Sequence, residues 1–145
     1  MARETTLILF KPDAIKKELI GTVLARYQAE GFQIRGIKMM TATDELLNEH
    51  YAHIAEAPFF PSVRSFMQES PIVALALEGE DAINRVRDLL GPTDSKAAEP
   101  GTIRGDFGFK DTDSKMRNVC HASDSRENAA LELKRFFQDS ELFDY

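Results

Sequence analysis

The spacing of apolar positions changes several times along this chain, and each change predicts an element. Thr5 to Phe10 (TTLILF) is β-rich and mostly apolar, the pattern of a strand buried on both faces. Lys11-Pro12-Asp13 interrupts it, because Pro12 breaks the ladder and Asp13 is suited to cap the next helix. Ile20, Val23, Leu24 and Tyr27 then share one face of a helix that Gly31 is placed to end. Phe32 to Thr41 reads as a second strand with Ile34, Gly36, Lys38 and Met40 on one face.

Thr43 or Asp44 is placed to cap a helix in which Leu47, Tyr51 and Ile54 form a stripe. Pro58-Phe59-Phe60-Pro61 is a break, followed by a short helical stretch holding Val63 and Phe66. Pro71 opens a third strand, Ile72 to Leu77. Asp81 is suited to cap the next helix, with Ile83, Val86 and Leu90 on its apolar face and Gly91 at its end. Pro92 to Gly101 has loop composition. A short strand is expected at Asn118 to His121. Ser123-Asp124-Ser125 offers caps to a last helix carrying Ala130, Leu133 and Phe137. The order is β-α-β-α-β-α-β-α, without repeat or linker, and predicts one domain over 1–145. The expected class is an α/β (α+β) two-layer sandwich with helices on a sheet. A ferredoxin-like βαββαβ core is compatible, although periodicity alone does not choose it.

Composition narrows the function classes. No apolar run approaches the roughly 18 residues needed to cross a bilayer, and Met1-Ala2-Arg3-Glu4 precedes no signal-peptide core. No membrane partner and a cytoplasmic location are therefore expected. Cys120 is the only cysteine, which suits a reducing compartment, and its plain reading is a small buried hydrophobe. The net charge of −6 argues against general affinity for nucleic acid. It leaves room for one small polyanion gripped by a few local cations.

Asn118-Val-Cys-His121-Ala-Ser123-Asp124-Ser125 is the segment that points most clearly to chemistry. A histidine at a strand end, just before a capped helix, presents its ring at a rigid surface. Ser123, Asp124 and nearby backbone N–H groups are placed to orient that ring or to receive phosphate. Glu132, three residues after Ala129 and four before Phe136, is placed to bond the imidazole and hold its tautomer. On residue types alone a purely structural histidine stays open. Lys11, Tyr51, Arg87, Thr93 and Arg104 are the types that neutralise and position a triphosphate, though each singly also fits an ordinary surface. For Phe59-Phe60, either one ring stacks on a nucleobase or both join the core. Neither a GxxxxGK[ST] loop nor a kinase-type GxGxxG is present.

Lys11-Pro12-Asp13, Pro58 to Pro61, Pro100-Gly-Thr-Ile-Arg-Gly-Asp-Phe107 and Asn118 to Ser125 match, in order, motifs of one family. The last resembles the active-site signature N-x-x-H-G-S-D-S, and the chain resembles nucleoside diphosphate kinases along almost its whole length. The resemblance implies a ferredoxin-like fold with an antiparallel four-stranded sheet. It also implies a homo-oligomer (tetramer or hexamer built from dimers) acting on nucleoside di- and triphosphates. The implied reaction is ping-pong transfer of a γ-phosphate through the pros nitrogen of His121. By the same resemblance, Lys11, Tyr51, Arg87, Thr93 and Arg104 hold phosphates, and Lys11 and Asn118 also meet the ribose 3′-hydroxyl. Phe59 stacks on the base with Val63 nearby, and Glu132 and Ser123 support His121. Mg²⁺ would arrive on the nucleotide, with no dedicated protein cage.

Two departures stand out. Ala122 replaces the commoner glycine after the histidine, a mild change unless that position needs positive φ. Extra residues within Gly108 to Arg117 read as a surface loop, which leaves the second wall of the base site, near Lys115, unassigned. A silent nucleotide-binding module on the same scaffold is the alternative from another class. The presence of His121, Asn118, Ser123 and Glu132 favours the enzyme. A DNA-binding regulator is opposed by the acidic balance.

Overall fold

The computed structural model describes residues 3–111 and 113–145; Met1 and Ala2 of the expected leaderless start, and Thr112 of the expected surface loop, lie outside them. In chain order the elements are β1 (Arg3–Phe10), α1 (Pro12–Lys16), α2 (Ile20–Ala29), β2 (Gln33–Met40), α3 (Asp44–His50), α4 (Phe60–Met67) and β3 (Ile72–Glu80). They continue with α5 (Ala82–Leu90), α6 (Ile103–Phe107), β4 (Cys120–Ala122) and α7 (Arg126–Phe136). The strands form one antiparallel sheet of order β2-β3-β1-β4.

Burial on both sides of the two central strands organises the fold. β1 and β3 pair from Arg3↔Glu80 to Phe10↔Val73. Ile8 and Phe10 join Val73, Leu75 and Leu77 in one core, roofed by Val23 and Tyr27 of α2 and Val86 and Leu90 of α5. Leu7 and Leu9 join Ile72, Ala74 and Ala76 in the other, roofed by Leu47 of α3, Phe60 and Phe66 of α4, and Phe136 of α7. Side chains alternate between faces along a strand, so a continuous apolar run requires cover on both sides. The first core is the ferredoxin-like arrangement. The second goes beyond the two-layer expectation, because α3, α4 and α7 cover the opposite face. Each fully buried Leu- or Phe-sized side chain contributes about 1.5–3 kcal/mol of transfer free energy.

Several local expectations are corrected. Ile34 and Gly36 do not share a face, because a bulge at Arg35 shifts the register between them. Ile34 therefore packs against the α2/α5 core, whereas Met40 packs against the α3/α4/α7 core. Gly36 lies so close to the C-terminal segment that a Cβ there would meet the Glu141 carbonyl at 2.8 Å. Asp81 occupies the N-cap of α5 without capping it with its side chain; Glu4 of β1 accepts the Ile83 N–H at 3.1 Å instead. Asp13 sits inside the first turn of α1 rather than at its cap. Of the expected α7 stripe, Leu133 and Phe137 pack in the α3/α4/α7 core, whereas Ala130 is exposed and Ala129, Glu132 and Phe136 complete the buried face. Thr43 caps α3 by accepting the Leu46 N–H at 3.1 Å, as expected, and Ser125 caps α7 by accepting the Asn128 N–H.

Candidate active site

β4 pairs with β1 in the register Leu9↔His121, which sets His121 beside the end of β1 where Lys11 stands. In an extended chain Asn118 and His121, three residues apart, would face opposite sides of the sheet. Val119 breaks that alternation by adopting φ 76°, a left-handed conformation costing a β-branched residue roughly 1–3 kcal/mol. Two contacts hold it there: the Lys11 N–H donates to the Val119 carbonyl at 3.0 Å, and Val119 N–H donates to Asp13 Oδ2 at 2.9 Å. The Lys11-Pro12-Asp13 turn thus forms one side of this strained corner. Ala122 is outside the positive-φ residues, so alanine is unstrained there.

The corner opens onto a cleft of about 960 Å³. Nine of the ten anticipated residues line it: Lys11, Tyr51, Phe59, Arg87, Thr93, Arg104, Asn118, His121 and Glu132. They come from edge strand β4, the turn after β1, helices α5, α6 and α7, the ends of α3 and α4, and two loops, and they concentrate three cations in an acidic chain.

His121 is partly exposed, with 24% of its side chain accessible. Its Nε2 lies 2.8 Å from Glu132 Oε1, and among the described residues its Nδ1 makes no hydrogen bond. The same Oε1 accepts the Ser123 hydroxyl at 2.7 Å, and Ser123 Oγ in turn accepts the Leu7 N–H at 3.3 Å. Ser123, fully buried, therefore reaches His121 through Glu132. Burial pushes the Glu132 carboxyl up, but its bonds to His121 and Ser123 outweigh that and hold it below the usual carboxylate range. Asp124 accepts from the Asn128 side-chain amide at 2.6 Å and makes no hydrogen bond to the His121 ring.

Lys11 donates from Nζ to Asn118 Oδ1 at 2.8 Å and to the Met116 carbonyl at 3.3 Å. Burial, with Arg104 nearby, lowers its ammonium to about 8. Asn118 is fixed from its other end by Nδ2 donating to the carbonyls of Thr93 and Lys115. Arg104 is buried, and its guanidinium donates to the carbonyls of Asn118, Gly91 and Cys120 at 3.0, 3.0 and 2.6 Å. It braces the corner while one face borders the cleft. Arg87 is exposed, and Nη1 donates to the Ala122 carbonyl at 3.3 Å. Phe59 is 56% exposed at the mouth while Phe60 is buried, so the reading in which both rings join the core does not hold. Cys120 is fully buried and its thiol is pushed up to about 12 by burial, which leaves it the inert hydrophobe expected.

Sequence reasoning left Lys115 unassigned and missed Met116, His50 and Arg135 in the wall. Lys115 and Met116 of the inserted segment line the cleft, and that segment is tied down by Arg117, which pairs with Asp113 and with Glu69 at 3.3 Å. His50 and Arg135 lie behind His121. Their signals were present: His50 stands three residues after Leu47 on the buried stripe of α3, and Arg135 three after Glu132.

Comparison with known proteins agrees with this geometry. A family profile described as nucleoside diphosphate kinase matches residues 4–142. The nucleoside diphosphate kinase of Parabacteroides distasonis is 46% identical over 142 residues, 98% of this chain and 90% of the relative. That of Staphylothermus marinus is 44% identical over the full length of both chains. Among solved structures, the Aquifex aeolicus nucleoside diphosphate kinase superposes with a TM-score of 0.90 at 45% identity, covering 98% of this chain and 100% of that one. The halophilic enzyme of Halobacterium salinarum, in complex with CDP, gives 0.92 at 38% identity, covering 99% and 93%.

Proposed function

This chain belongs to the nucleoside diphosphate kinase family, and on that premise we propose that it passes a γ-phosphate between nucleotides by way of His121 Nδ1. The observation that carries the reading is the commitment of the other ring nitrogen. With Nε2–H donating to the Glu132 carboxylate, the neutral imidazole presents its lone pair at Nδ1 towards a cleft lined with cations.

In the first half-reaction Nδ1 attacks the γ-phosphorus, the Nδ1–P bond forms, the bond to the bridging oxygen breaks, and the diphosphate leaves with that oxygen. The ring gains positive charge as Nδ1 commits its electron pair, and Glu132 stabilises that charge in a largely water-excluded position. Phosphoryl transfer demands mainly in-line placement and neutralisation of the transferring oxygens. Arg87, Thr93, Tyr51 and Lys11 are the groups we assign to the phosphates, with Arg104 adding its charge from behind the corner. Lys11 and Asn118, already bonded to each other, are assigned to the ribose 3′-hydroxyl. Exposed Phe59 supports stacking on one face of the base, which accepts any base because each has a π-face. The second half-reaction runs the same steps in reverse onto a different diphosphate.

Mg²⁺ we assign to the substrate, as the nucleotide's own counter-ion; among the described residues no group of three or more His, Cys, Asp or Glu is arranged to hold a metal. Exposed Ile37 and Met39 on edge strand β2 support pairing with a second copy, and so a homo-oligomer built from dimers. No helix among the described residues is long and apolar enough to cross a membrane. The lone buried thiol supports a reducing, cytoplasmic setting. The test is initial-rate kinetics with ATP and a varied diphosphate acceptor. Parallel double-reciprocal lines that vanish in His121→Ala are expected; intersecting lines would refute the two-step route.

A further inference from the structure

A second histidine stands behind the first. His50, the last residue of α3, is buried, and its ring meets that of His121 nearly edge-on, with centroids 4.7 Å apart and planes at 84°. Phe136 and Tyr51 enclose its other sides at 5.2 and 4.8 Å. Arg135 of α7 donates from Nη1 to His50 Nδ1 at 3.1 Å. The Arg135 Nε lies 3.3 Å from Glu49 Oε1, an ion pair without hydrogen-bond alignment that sets the guanidinium against the end of α3.

A guanidinium is always a donor, so the Nδ1 it faces must carry a lone pair. We infer that Arg135 is a positioning residue that locks His50 in the neutral, Nε2-protonated tautomer, so that the phosphate-accepting ring of His121 rests against an oriented, uncharged partner. This rests on His121 as the acceptor. The charged and titratable groups that face His50 are His121 from β4, Glu132 and Arg135 from α7, Lys11 from the end of β1, and Glu49 and Tyr51 from its own segment. Burial, then His121, lowers its imidazolium to about 3, so the neutral form persists through the working pH range. The consequence is catalytic. His121 gains positive charge on its way to the transition state, and a cationic ring 4.7 Å away would slow that step by roughly two to three orders of magnitude at an effective dielectric near 20.

The experiment compares wild type with Arg135→Met, each alone and on a His50→Phe background that keeps an aromatic ring in place. Arg135→Leu is the second variant should methionine pack poorly. Two readouts are taken: ¹⁵N NMR of the His50 ring from pH 5 to 8, and single-turnover phosphorylation by γ-labelled ATP. In wild type, a pyridine-like Nδ1 and a pyrrole-like Nε2 that do not change with pH are expected. Arg135→Met should average the two nitrogens and slow phosphorylation in proportion to the Nε2-protonated fraction lost, about twofold for equal tautomers, whereas on His50→Phe it should cause no further slowing. An unchanged ¹⁵N pattern in Arg135→Met, or equal slowing in both backgrounds, overturns the inference. Wild type that takes no label at all would instead overturn His121 as acceptor, and the ¹⁵N arm would still decide the tautomer.

Discussion

Replacing Glu132 by glutamine removes one charge and almost no volume. Its Oε1 accepts both the His121 Nε2–H at 2.8 Å and the Ser123 hydroxyl at 2.7 Å, and a glutamine carbonyl can keep both bonds. What is lost is the attraction between a buried carboxylate and a ring that becomes cationic as the Nδ1–P bond forms. A hydrogen bond to a charged group contributes about 1.5–3 kcal/mol, and at 1.36 kcal/mol per decade that corresponds to roughly 10- to 150-fold in the phosphorylation rate. Quenched-flow mixing with γ-labelled ATP reads this step directly, and KM for ATP should move far less than kcat, because the charge matters little before the ring reacts. A second signature comes from linkage. The folded-state pKa of Glu132 lies below its unfolded value, so the stability it contributes is present above the unfolded pKa near 4.3 and is lost as pH falls through the folded value. The stability gap between wild type and Glu132→Gln should therefore close on acidification. A variant phosphorylated within about twofold of wild type would refute this electrostatic role.

Three further outcomes are expected. Phe59→Ala should raise KM for ATP, GTP and CTP alike, by roughly 5- to 150-fold for a stacking contribution of about 1–3 kcal/mol, with Tm unchanged because the ring is 56% exposed; a loss confined to one base would contradict stacking. Free-enzyme kcat/KM should fall above about pH 8, where buried Lys11 sheds its charge, while stability from that group rises because the unfolded chain still binds the proton there. A profile flat to pH 10 would contradict it. Asp13→Ala should leave the buried Val119 N–H without an acceptor and cost about 1–3 kcal/mol, read as a shift in urea midpoint; no shift would mean the corner is held without it.

Much of the fold was legible because β1, β3 and the amphipathic helices carry strong, regular patterns. The bulge at Arg35 was not, since one extra residue in a strand leaves no mark on composition yet moves every later side chain to the other face. Capping went partly astray for a similar reason: Asp81 has the right residue type, but the acceptor comes from Glu4, distant in sequence. Resemblance to the family picked out ten candidate residues, and nine of them line one cleft. Neither pattern nor resemblance pointed to Val119 in a left-handed conformation or to Arg135 bonded to His50, because each depends on contacts between segments far apart in the chain.

The most direct measurement is incubation with γ-labelled ATP and Mg²⁺ in the absence of any acceptor, for wild type and His121→Ala. One acid-labile, alkali-stable label per wild-type chain, located at Nδ1 by ³¹P NMR and chased onto added GDP or dCDP, is the expected result, with none on a folded His121→Ala. A label that persists in the variant, or transfer to GDP with no labelled protein on the way, would contradict phosphate transfer through His121.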